Sequence, residues 1–371
     1  MTSFGVNLGR ARASDGARRS GGIQMSKPSW RGAIAAAFVV GAASLAFAQA
    51  GKVDASLAVY GDDSASVALA DGRKIHMVCM GQGAPTVILT AGLGDWGAIW
   101  DKVQPTIART TRVCAWDRPA AGFSAPSPKP QTVDNTTADL EEALRLGGFK
   151  GPYVIVGHSL GGYESLLFAD RHRADVAGMV LVDPSIPGQA AVFAKAAPAF
   201  GAWVQTFYAQ GVSQVRQCAS DLRSGTLKIG APDPGQCLAQ SPRYPPALSQ
   251  ALTRFQADPA VFDTMASLMD NFARDSEIVV DPQRRYGDLP LVVLTATVPQ
   301  PFPDGTPDQV RKEGALFMAA FSRGHDDIAA LSSQGVNRPV PGASHYIQRD
   351  KPQVVIKAIE GVIAHARNAA P

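Results

Sequence analysis

Apolar residues in this chain fall into two kinds of stretch, and the two alternate over most of its length. Runs over 85–90, 111–116, 153–156 and 176–182 are apolar at nearly every position and rich in β-branched side chains. Such runs predict strands buried on both faces, as in a parallel sheet. Between them apolar residues recur every three or four positions, as with Trp100, Val103 and Ile107 in a stretch ending near 109. That spacing predicts helices there and over 132–146, where Asn135 or Thr136 lies near the start and Gly147-Gly148 follows the end. Two earlier strands are predicted at 66–69 and 74–80, joined by the turn signal Asp71-Gly72. From 186 to 288 the rhythm stops: helical stretches at 189–210, 246–255 and 261–274 alternate with Pro- and Gly-rich turns. Pro198 is expected to kink or split the first of these. The rhythm resumes with strands at 290–295 and 337–340 around a helix over 308–332. A last helix over 351–367 can turn Val354, Ile356, Ile359 and Ile363 toward a sheet.

The expected fold class is therefore α/β, a mostly parallel sheet flanked by helices. Residues 51–185 and 289–371 are expected to form the core, with 186–288 inserted as a helical cap. Residues 1–50 stand apart. Arg10, Arg12, Arg18, Arg19, Lys27 and Arg31 precede an apolar run over 32–47 that ends in Ala46-Phe47-Ala48, with a second small-x-small option at Ala48-Gln49-Ala50. This three-part pattern predicts a signal peptide cleaved near 48 or 50, with Met25 as an alternative start. The apolar run is shorter than the roughly 20 residues of a spanning helix. The mature protein is expected to be periplasmic or secreted, with no stable membrane span. Six Lys/Arg and one Asp in the leader give it +5 against the whole chain's +3, leaving the remainder near −2. No basic stripe interleaves with aromatics, so no nucleic-acid partner is expected.

Candidate chemistry centres on Gly157-His158-Ser159-Leu160-Gly161-Gly162. Here an apolar strand must turn abruptly into a helical stretch. Small residues on either side let the turn lift the Ser159 hydroxyl clear of the sheet, which suits a nucleophile. The general base is expected to be His345, in a loop between a late strand and the final helix. The alternatives fit less well: His158 is locked into the turn and should pack, His172, His325 and His365 lie on helix surfaces or ends, and His76 sits in an early strand. Asp183, directly after the strand over 176–182, is the expected orienting acid. Asp304 and Asp308 are later candidates on a longer, Pro-rich support. Backbone N–H groups of Leu160 and Leu93 are the expected oxyanion donors. No CxxC, HExxH or Walker pattern occurs and Gly92-Leu93-Gly94 lacks a third glycine, so no metal or cofactor is expected.

These stretches give the chain a resemblance to the α/β-hydrolase superfamily, in the branch of esterases and lipase-like proteins with helical caps. The stretches are 85–94, 114–124, 157–162, 176–184 and 342–348, in the family's order. The resemblance implies an eight-stranded sheet whose second strand is antiparallel to its neighbours, and a triad in the order Ser159, Asp183, His345. Two departures stand out: Thr90-Ala91-Gly92-Leu93 replaces the commoner His-Gly start of the oxyanion loop, and no aspartate promptly follows the strand at 290–295. Four cysteines in an exported chain allow two disulfides. The family's sheet makes the second and fourth strands neighbours, implying Cys79 near Cys114, while Cys218 and Cys237 would close a short loop in the cap. The implied activity is hydrolysis of a small-molecule apolar ester through an acyl-enzyme. A peptidase, amidase or perhydrolase, or a non-catalytic binding protein on the same scaffold, are the alternatives. Phe193, Phe200, Trp203, Phe207 and Tyr208 as a group suggest an apolar pocket under the cap, although any single one of them is more readily a residue that packs within the cap.

Overall fold

A strand that is apolar at every position buries both of its faces, because successive side chains point to opposite sides of the sheet. In the computed structural model, which describes residues 52–62 and 64–368, eight strands form a single sheet. They are β1 (Ser66–Ala68), β2 (Lys74–Met80), β3 (Thr86–Thr90), β4 (Val113–Trp116), β5 (Tyr153–His158), β6 (Val176–Val182), β7 (Leu291–Ala296) and β8 (Gly335–Val340). Their order is β1-β2-β4-β3-β5-β6-β7-β8, with β2 antiparallel to β1 and β4 and every other pair parallel. Val87, Leu89, Val154, Val156, Val180 and Val182 pack on one side, with Ile356, Ile359 and Ile363 of the last helix. Ile88, Ile155, Met179 and Leu181 pack on the other, with Leu140, Leu166 and Ile328.

The flanking helices are α1 (Gln104–Ile107), α2 (Val133–Leu146) and α3 (Gly161–Arg171). Between β6 and β7 come α4 (Gln189–Ala196), α5 (Pro198–Ser224), α6 (Pro246–Gln256) and α7 (Pro259–Ile278), with no strand among them. After β7 follow α8 (Asp308–Ala329), α9 (Ile347–Asp350) and α10 (Pro352–Asn368). Two helix readings are corrected. The helix expected to end near 109 is one 3₁₀ turn (Gly97–Trp100) and then α1, because Pro105 lacks an N–H and starts a helix afresh. The stretch expected over 189–210 is split at Pro198 and runs on to Ser224, where Gly225 at φ 72° caps it. Gly211 does not end α5, because packing against α7 outweighs its propensity cost of roughly 1 kcal/mol.

Disulfides join Cys79 to Cys114 and Cys218 to Cys237. The first links β2 to β4 at residues that face each other in register. The second ties α5 to the loop that follows it. Among the described residues no helix is long and apolar enough to cross a membrane. The expected leader at 1–50 lies outside the described residues.

Candidate active site

β5 ends at His158 and α3 begins at Gly161, so Ser159 and Leu160 make the whole turn. Ser159 has φ 53°, in the left-handed region that disfavours any residue with a Cβ. The turn is held from both sides. Ser159 N–H donates to Val182 O at 3.3 Å, and its carbonyl accepts from Gly162 N–H at 2.8 Å and Ser185 N–H at 2.9 Å. The flanking glycines are steric necessities. A Cβ on Gly157 would collide with Gly161 O and Ser165 Oγ, and one on Gly161 would lie 2.6 Å from Thr90 O. α3 thus starts directly against the end of β3.

Asp183 follows β6, also with a positive φ of 43°. Its Oδ1 accepts from Ala296 N–H at 2.8 Å, and its Oδ2 meets His345 Nδ1 at 2.6 Å. Two strand ends therefore fix the carboxylate before it meets the ring. The Asp183 side chain is 5% exposed and the His345 ring 23%, so the acid is enclosed while the imidazole keeps an open edge. Asp304 and Asp308 are both exposed. Leu93, in the loop after β3, and Leu160, before α3, pack their side chains into one apolar cluster with Leu268, Met269 and Phe272 of α7. Neither backbone N–H has an acceptor among the described residues.

The other histidines are engaged elsewhere. His76 Nδ1 meets Asp117 Oδ2 at 2.7 Å in a buried pair, and Asp117 also accepts from Gly97 N–H at 2.6 Å. His172 is partly exposed beside Glu141, and His365 is exposed. The surface position expected for His325 is wrong. It is fully buried, with Nε2 2.8 Å from Pro184 O and Nδ1 2.8 Å from Thr295 Oγ1, so it packs directly behind Asp183. Its place on an otherwise amphipathic helix hides this in the sequence.

Sequence reasoning also missed a buried clamp. Arg118, in the loop after β4, donates through Nε and Nη2 to the two carboxylate oxygens of Glu164 on α3, each at 2.6 Å. Its Nη1 donates to Gly92 O at 3.0 Å and its Nη2 also reaches Ala91 O. The guanidinium thus fastens the Leu93 loop to the helix that follows Ser159. The one signal in the sequence was a carboxylate, Glu164, inside a helix that is otherwise apolar on its sheet side.

A cavity of about 110 Å³ opens beside the Leu93 loop, with Asp95, Trp96, Arg118, Tyr244, Met265 and Leu268 among its walls. The aromatic group of the inserted helices mostly packs away from it. Phe193 and Phe200 contact Phe317, and Trp203 stacks on Phe207 and contacts Phe302. Tyr208 alone of the five stacks on Phe272, in the cluster that holds Leu93 and Leu160.

Residues 85–218 match the family model for the alpha/beta hydrolase fold. Lipase LipV of Mycobacterium tuberculosis is 32% identical over 113 residues, which cover 30% of this chain and 42% of that protein. The uncharacterised protein YqjL of Bacillus subtilis is 32% identical over 106 residues, 29% of this chain and 42% of that one. The chain thus spans under half the length of these curated relatives. Among solved structures, a variant of an epoxide hydrolase from Bacillus megaterium, bound to its product, aligns with a TM-score of 0.57 at 17% identity. That alignment covers 81% of this chain and 99% of the other, a likeness of fold.

Proposed function

Because this chain is an α/β-hydrolase in fold, we propose that it is an exported serine hydrolase that cleaves carboxylic esters through an acyl-enzyme. The observation that carries the reading is the 2.6 Å contact between His345 Nδ1 and Asp183 Oδ2, with Asp183 next in the chain to Val182, whose carbonyl accepts from Ser159 N–H. With Nδ1–H given to the carboxylate, Nε2 is left as the proton acceptor. In this reading the Ser159 hydroxyl passes its proton to Nε2 as Oγ bonds to the ester carbonyl carbon. The oxyanion that forms accepts from the N–H groups of Leu93 and Leu160, donors that are in place before the charge develops. His345 returns the proton to the leaving alcohol as the C–O bond breaks. Water then repeats the sequence on the acyl-enzyme and releases the acid.

Supporting the choice of an apolar ester is the side-chain cluster of Leu268, Met269, Phe272 and Tyr208 beside both oxyanion residues. In this reading the acyl pocket is lined from α7 rather than by Trp203 and Phe207, which pack elsewhere. The test is a screen of p-nitrophenyl esters over acyl length, with Ser159→Ala as the control. Wild type hydrolyses them and Ser159→Ala does not. Leu268→Ala shifts preference toward longer acyl groups, by about 1–3 kcal/mol per methylene accommodated. Absence of ester hydrolysis by folded wild-type protein across the series would sink the proposal. Export is tested separately, by N-terminal sequencing of protein recovered outside the cytoplasm, expected to start at Gln49 or Gly51.

A further inference from the structure

Behind His345 lies a second acid–imidazole pair, which the mechanism above does not use. Asp95, in the loop after β3, is 5% exposed, and His158, the last residue of β5, is 1% exposed. Asp95 Oδ2 and His158 Nδ1 face each other at 3.9 Å, and neither atom has a hydrogen-bond partner among the described residues. The other ring nitrogen, Nε2, lies 2.9 Å from the carbonyl oxygen of His345. A carbonyl can only accept, so Nε2 carries a proton and the neutral ring presents Nδ1 as a bare acceptor. An ionised Asp95 would set two buried acceptors against each other. A neutral carboxylic acid would have a proton to donate.

The pair adjoins His345, the Leu93 loop and the Ser159 turn. The His158 ring packs on His345 and Tyr346, with centroids 4.6 and 5.2 Å apart. Asp95 N–H donates to Gly92 O at 3.3 Å. A Cβ on Gly92 would lie 2.9 Å from His158 Nδ1 and 3.2 Å from Asp95 Oδ2, so the Leu93 loop is moulded around both groups. His158 immediately precedes Ser159 in the chain. We propose that Asp95, as the neutral acid, closes the 3.9 Å gap to hydrogen-bond His158 Nδ1, a movement of about 1 Å, and that this buried pair positions His345 and the Leu93 loop for catalysis. The proposal rests on the serine-hydrolase reading and assigns Asp95 and His158 as positioning residues.

The surroundings agree with that proton arrangement. Burial pushes the Asp95 carboxyl up to about 7, against the opposing pull of His345, Arg349 and Arg118. Burial likewise holds His158 well below the ordinary imidazole range, with His345 and Arg118 adding to it and the bond to His345 O opposing. The remaining titratable groups facing Asp95 are Tyr244 and Tyr346, both kept neutral by burial. The Asp95 pKa is raised above 3.8, so its contribution to stability is full below 3.8 and is lost as the pH rises through about 7.

The experiment measures kcat and KM against pH for wild type, Asp95→Asn and Asp95→Ala, together with a ¹³C carboxyl titration of wild type. In wild type kcat falls on the alkaline side with a midpoint near 7. Asp95→Asn, whose amide can donate to Nδ1 at every pH, keeps turnover and loses that fall. Asp95→Ala loses about 10²-fold in kcat, with KM little changed, as a misplaced base would. The Asp95 carboxyl, assigned by its absence from the Asp95→Asn spectrum, titrates near 7 in wild type. This readout stands even where Asp95→Ala does not fold. A carboxyl titrating near 4 would overturn the proposal. So would an Asp95→Asn variant as impaired as Asp95→Ala, or an Asp95→Ala variant with wild-type kcat and pH profile. Turnover by Ser159→Ala would instead overturn the serine-hydrolase reading, and the Asp95 titration does not depend on that result.

Discussion

Removing one half of the Arg118–Glu164 pair should cost far more than removing an exposed ion pair, and it should separate stability from activity. The two side chains are 3% and 1% exposed. Arg118→Ala leaves Glu164 buried without its guanidinium, a loss of about 3–5 kcal/mol. That is a large part of the roughly 5–15 kcal/mol that holds a typical domain folded. Arg171→Ala is the control. Arg171 pairs with Asp134 and Glu141 at a partly exposed site, and its loss should cost no more than about 1 kcal/mol. The double replacement Arg118→Met with Glu164→Leu removes both charges together and should recover much of the stability. It cannot recover the donors to Ala91 O and Gly92 O, each worth about 1.5–3 kcal/mol as a charge-assisted bond. The Leu93 loop stays loosened, and kcat stays low by about 10²-fold. Urea unfolding followed by tryptophan fluorescence, paired with kcat on a short ester, reads both quantities. A loss in Arg118→Ala no larger than in Arg171→Ala would refute the reasoning. A double variant that regains stability and kcat alike would refute the clamp on the loop.

Asp183→Asn should lower kcat by about 10⁴-fold, the effect of mis-setting a triad histidine, while Asp304→Asn and Asp308→Asn, at exposed positions, should remain close to wild type. Kinetics of the three purified variants decide this, and a reversed pattern would move the acid to the loop after β7. Burial pushes Asp275 of α7 up to about 7, a Val133 backbone N–H opposing it and Glu164 adding to it. Its contribution is full below 3.8 and is lost as the pH rises through about 7, so Asp275→Asn should flatten the decline in urea midpoint between about pH 4 and 7. A variant whose midpoint falls as steeply as wild type would show that Asp275 does not titrate in this range.

What the sequence made legible was local. The strands could be read because a sheet covered on both faces forces runs such as Val87-Ile88-Leu89, and Ser159 because its turn needs Gly157 and Gly161 within a few residues. Asp183 could be read because it directly follows a strand, and His345 because its loop runs from the last strand toward the final helix. What stayed hidden was pairing across the chain. Arg118 meets Glu164 46 residues away, and His325 meets Pro184 O 141 residues away, with no local pattern to announce either. The aromatics of α4 and α5 misled for the same reason. Phe302 and Phe317, the partners of Phe193, Phe200 and Trp203, lie beyond β7, and apolar character alone does not say which apolar surface a side chain covers. Pro105 was visible in the sequence but was read as part of one helix, whereas its missing N–H begins a second.

The central claim, that Ser159 is the nucleophile, is tested most directly by covalent labelling. Purified wild-type protein is treated with a fluorophosphonate and the modified peptide is mapped by mass spectrometry. The account predicts a single adduct on Ser159, loss of ester hydrolysis in step with labelling, and neither labelling nor turnover in folded Ser159→Ala. An adduct on a different residue, or undiminished hydrolysis by Ser159→Ala, would contradict it.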